Sequence, residues 1–101
     1  MEDRHPQLRS ALRHVVLDGP ATADAGLRRA AYRADGLAEP LNGYLDKLRR
    51  HAYRVQDSDI EALHRAGHSD DQIFELTVAA ALGAGDTRLR AGLTALNEVL
   101  R

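Results

Sequence analysis

Residues 67–85 read GHSDDQIFELTVAAALGAG, and both ends of this run carry the marks of helix ends. Ser69 is an N-cap residue, and Asp70 and Asp71 set negative charge against the positive start of a helix. Ile73, Thr77, Ala80 and Ala84 mark one face, while Phe74, Val78 and Leu82 mark another. A helix apolar on nearly all sides is a buried one, so the run predicts the central helix of an all-α domain. Its small residues let neighbouring backbones approach closely. Gly83 and Gly85 are read as its end, and Asp86 as the cap of a further helix with Leu89, Leu93, Leu96 and Leu100 in one stripe.

Four more helices are expected upstream, giving about six. The first covers His5 to Asp18, with Pro6 in its first turn and Leu8, Ala11, Leu12 and Val15 at helical spacing. Gly19-Pro20 ends it. Thr22 is read as the N-cap of the second, which runs to Ala34 before Asp35-Gly36. The third spans Pro40 to Arg54, where Leu41, Leu45, Leu48, Ala52 and Val55 share a face bordered by Tyr44 and His51. The fourth runs from Ser58 to Ala66 behind a cap at Asp57 or Ser58 and stops at Gly67. Sustained period-2 alternation is absent, so strands are not expected. The 101 residues make one domain. Within it, residues 1–38 form an N-terminal helical pair that packs on the rest or on a partner subunit, and residues 39–101 form the core.

Composition removes whole classes of chemistry. With no cysteine there is no disulfide, no thiolate zinc or iron–sulfur site and no thiol catalysis. A formal charge of −1 argues against a nucleic-acid binder. The absence of a long apolar run or a signal-peptide core leads to the expectation of a cytoplasmic protein without membrane contact. Residues 1–56 carry ten Arg or Lys against seven Asp or Glu, and residues 57–101 carry four against eight. Opposite-sign halves of this kind can attract across a subunit interface.

The stretch from Tyr44 to Leu96 resembles the alkylhydroperoxidase D-like (AhpD-like) and carboxymuconolactone decarboxylase superfamily. The resembling residues are Ala66-Gly67-His68-Ser69-Asp70-Asp71-Gln72-Ile73-Phe74-Glu75-Leu76, then Ala79-Ala80-Ala81, with Asp57 to Leu63 as the helix leading in. The resemblance implies an AhpD-like helical bundle that forms oligomers. Peroxidase members carry Cys-x-x-Cys-x-x-x-His before this junction. Counting back from Gly67, those positions hold Ala52, Val55 and Asp59. A peroxidase needs the thiolate, so the family's thiol mechanism is excluded. The decarboxylase branch places Glu and His where this chain has Val55 and Asp59.

Four residues are candidates for a pocket at that position. His51 and Tyr53 stand beside the lost first cysteine and offer a base and a hydrogen-bond donor. Asp59 replaces the histidine, although a carboxylate at a helix start is favourable by itself. Glu75 lies between Phe74 and Leu76, where burial requires a partner, and an arginine of the third helix or of another subunit would serve. His64 and His68 have metal-ligand spacing, but Gly67 interrupts the helix between them, so no metal site and no cofactor are expected. The expectation is a non-redox, homo-oligomeric accessory subunit that binds a small molecule or a protein partner. An acid–base enzyme using His51, Tyr53, Asp59 and Glu75 is the alternative. A helix-turn-helix DNA binder over residues 58–82 is disfavoured, because its recognition helix carries Asp70, Asp71 and Glu75 and no basic residue.

Overall fold

The computed structural model describes residues 5–100. Residues 1–4 and 101 of the expected 1–101 domain lie outside the described residues. Five α-helices follow in order: α1 His5–Asp18, α2 Ala25–Arg33, α3 Leu41–His51, α4 Asp57–Arg65 and α5 Asp70–Val99. A 3₁₀ turn, Ala52–Arg54, joins α3 to α4. The described residues are all-helical, with no strand.

The expected count of six fails at Gly83 and Gly85, which do not end a helix. Residues 70–99 form one continuous α5 of 30 residues, about 45 Å long. The reason is tertiary. A Cβ built on Gly83 would lie 2.0 Å from the backbone carbonyl oxygen of Tyr32. Glycine is kept there because α2 presses its backbone onto α5, and that packing outweighs glycine's poor helix propensity.

Other boundaries shift for local reasons. Asp24, not Thr22, caps α2, accepting from Leu27 N at 3.3 Å. The third helix stops at His51, before the expected Arg54. Gln56 is the N-cap of α4, in place of Asp57 or Ser58, and Asp59 reaches back to it. Ser69 caps α5 as expected, in a reciprocal arrangement with Gln72.

The core gathers on the first half of α5. Ile73, Leu76, Ala79 and Ala80 pack with Leu17, Ala31, Leu41, Tyr44, Leu45 and Leu63. The second half of α5 runs on past this core. The radius of gyration is 15.5 Å, against about 13 Å for a compact domain of this length. The envelope measures 52 × 29 × 21 Å.

The three glycines of α5 should therefore respond differently to substitution. Gly83→Ala meets the Tyr32 backbone and is expected to cost about 2 kcal/mol or more despite the better propensity. At Gly85 and Gly92 an added Cβ meets nothing, so alanine should stabilise by about 0.5–1 kcal/mol. Urea denaturation followed by circular dichroism measures all three. Equal effects at Gly83 and Gly92 would remove the close approach from the account.

Candidate functional site

Among the described residues, α1 and α5 share an exposed apolar face. On α5, Phe74, Val78, Leu82, Leu89, Leu93, Leu96 and Leu100 fall on one side by helical spacing. Phe74 is 69% exposed, Leu93 44% and Leu96 51%. The expectation that this helix is buried on nearly all sides holds only for its other face. On α1, Leu8, Leu12 and Val15 also point to solvent, at 63%, 52% and 64% exposure.

The polar contacts of α1 explain its orientation. Arg13 Nε lies 3.4 Å from Asp86 Oδ2, and Val15 and Val16 line one depression with Phe74 and Val78. Later residues of α1 thus meet earlier residues of α5, and the two helices run antiparallel. Asp86, read from sequence as a cap, is buried and accepts from Tyr32 Oη at 2.5 Å. These bonds hold its carboxyl below the usual range, the Tyr32 hydroxyl contributing most. Burial and the same carboxylate push the Tyr32 hydroxyl up. The available signal was an aspartate within the otherwise leucine-rich run of α5.

Glu75 does not pair with an arginine of α3. Its carboxylate accepts from Ala23 N at 2.6 Å and Thr22 N at 2.9 Å. The two backbone bonds lower its pKa, with a smaller share from the charge of Arg28. Arg28 is buried and complementary in role. Its Nε donates to Ala23 O at 3.1 Å and its guanidinium to Val16 O at 3.0 Å. The carboxylate thus takes the N–H groups of the α1–α2 loop, and the guanidinium takes carbonyls. An arginine in an alanine-rich helix gave no sequence sign of this role.

The remaining candidates lie elsewhere. Asp59 accepts from Lys47 Nζ and from Gln56 N, each at 2.8 Å. The lysine bond, then the backbone bond, lower its pKa. It lines a shallow depression with Tyr44 and Lys47, while Glu75 lines the one beside Phe74. Tyr53 is 80% exposed, its ring edge-on to His51 at 5.9 Å and beside the Arg54 guanidinium. Neither His51 nor Tyr53 lines either depression, so the four side chains do not converge. His64 Nε2 contacts Asp70 Oδ1 at 2.5 Å. Ala52 is exposed and Val55 packs on the core. Ala52 opens the 3₁₀ turn and Val55 follows it, ahead of the start of α4.

The chain matches no protein-family model, no curated protein and no solved structure. Among the described residues no helix is long and apolar enough to cross a membrane.

Three lowered carboxylates set the acid response. Folding support from Asp86, Glu75 and Asp59 is present above the ordinary carboxylate pKa and lost as pH falls through the lower folded values. The urea midpoint should therefore drop on acidification below about pH 4. Asp86→Asn should lower it at neutral pH and flatten that acid limb. An unchanged limb in this variant would show that Asp86 carries none of it.

Proposed function

We propose that this chain is a non-redox helical subunit that works as a homo-oligomer, with an antiparallel pair formed on the α1–α5 face as its unit. The observation that carries the reading is the spacing of Leu89, Leu93, Leu96 and Leu100. Steps of four, three and four residues read the same in both directions. Two copies crossing between Thr94 and Ala95 set Leu89 against Leu100 and Leu93 against Leu96. An isologous two-fold contact needs that self-complementarity, and a heptad-like seam supplies the knobs to fill it. On the flanks, Arg90 of one copy comes opposite Asn97 of the other.

Magnitudes decide how much surface must be covered. Burying the remaining exposure of eight leucines contributes on the order of 8 kcal/mol. That is comparable to the cost of associating two chains. A stable pair therefore also covers Leu8, Leu12, Val15 and Phe74, which lie on the same side. An AhpD-like origin for residues 44–96 is part of this proposal. Its support is the junction in which α4 ends at Gly67, in the left-handed region at φ 98°, and Ser69 caps the next helix. The role assigned is accessory or binding: no residue of these 101 can supply a thiolate, and His51, Tyr53, Asp59 and Glu75 do not gather in one depression.

Light scattering after size exclusion tests the assembly. At micromolar concentration the chain should run at twice its 11.1 kDa mass or a higher even multiple. Leu93→Glu and Leu96→Glu, placed at the centre of the seam, should give helical monomers. A wild-type monomer, or a dimer indifferent to both substitutions, would sink the proposal.

A further inference from the structure

A cleft of about 400 Å³ lies between α2, α3 and α5, away from the apolar face. Its volume falls within the range of roughly 300–1,000 Å³ typical of small-molecule sites. Arg33 enters from the last turn of α2, Arg49 and Arg50 from the last turn of α3, and Arg88 from the middle of α5. Asp46 is the one carboxylate in the lining, and it pairs with Arg50 at 2.9 Å. Four guanidiniums against one carboxylate give a formal +3, in a chain whose net charge is −1.

Helix C-termini attract cations, and that accounts for Arg33, Arg49 and Arg50 at their ends of α2 and α3. It does not account for Arg88, which lies mid-helix and brings a fourth positive charge to the same cleft. Its guanidinium donates to Arg49 O at 3.1 Å, and Arg49 donates to Ala31 O at 3.5 Å. These bonds fix two guanidiniums at the cleft wall while using one of the five N–H donors that each carries. Like charges gathered around a cavity repel unless an anion joins them, and the guanidinium fork matches phosphate oxygens. A phosphate group carries about −1.5 to −2 at neutral pH. Two phosphates therefore balance the cleft and one does not.

We propose that this cleft binds a small diphosphate, either inorganic or esterified to an organic group.

Isothermal titration of the full chain at low salt, with inorganic pyrophosphate and with ADP as probes, tests this. One saturable site per chain is expected, and the tighter probe identifies the source of the diphosphate. Arg33→Gln combined with Arg50→Gln should weaken binding by about tenfold or more. Arg65→Gln, on exposed α4, should leave it unchanged. Arg33→Gln alone, at an exposed position, gives the same reading several-fold weaker if the double variant does not fold. The proposal is overturned by no saturable binding of either probe, by unchanged affinity in the cleft variants, or by an equal loss in Arg65→Gln. Citrate binding as tightly as pyrophosphate, or an oligonucleotide binding where pyrophosphate does not, would also overturn it.

Discussion

The last turn of α1 and the loop that follows it have backbone N–H and C=O groups that no helix satisfies, and two side chains satisfy them from opposite sides. Glu75 accepts from Thr22 N and Ala23 N, and Arg28 donates to Val16 O and Ala23 O. The bond to Ala23 O is buried, and a buried backbone group left unpaired costs about 1–3 kcal/mol. This clamp therefore fixes how the first two helices meet α5. With α2 seated, Tyr32 presses its carbonyl on Gly83 and its hydroxyl reaches Asp86. With α1 seated, Arg13 turns inward to Asp86, and Leu8, Leu12 and Val15 are left facing out.

The same geometry divides α5 into two parts. Its first half is the wall of a small core in which Leu45, Leu63 and Leu76 are the largest fully buried side chains. In its second half Leu89, Leu93, Leu96 and Leu100 form a stripe that the described residues leave largely exposed. A chain of this size buries a modest share of its surface. An exposed stripe that matches itself under a two-fold is consistent with completing that core by association. The arginine cleft is lined by none of the leucines of that stripe, so the proposed assembly and the proposed ligand would use separate surfaces.

The candidate residues show where local reading runs out. Asp59 was legible as a helix-start carboxylate, and the structure gives it that position with Lys47 added. The need of Glu75 for a partner was legible too, but the partner is a loop backbone 52 and 53 residues away in sequence. Sequence spacing cannot report such a contact, because peptide N–H groups carry no residue signature. His51 and Tyr53 stand two residues apart and meet edge to face, and neither lines the depression of Asp59 or that of Glu75.

The amino-acid sequence alone determined the all-helical class, the bounds of α1, the Ser69 cap and the absence of thiol chemistry. Each follows from local terms: apolar period, capping side chains and residue inventory. The tertiary structure decided the rest. Gly83 passes through the interior of a helix because α2 needs its bare Cα. Asp86 becomes a buried acceptor where a helix cap was read. The apolar side of α1 faces water because Arg13 and the loop clamp set its rotation. Those outcomes depend on which backbone lies next to which, and periodicity along one chain does not contain that information.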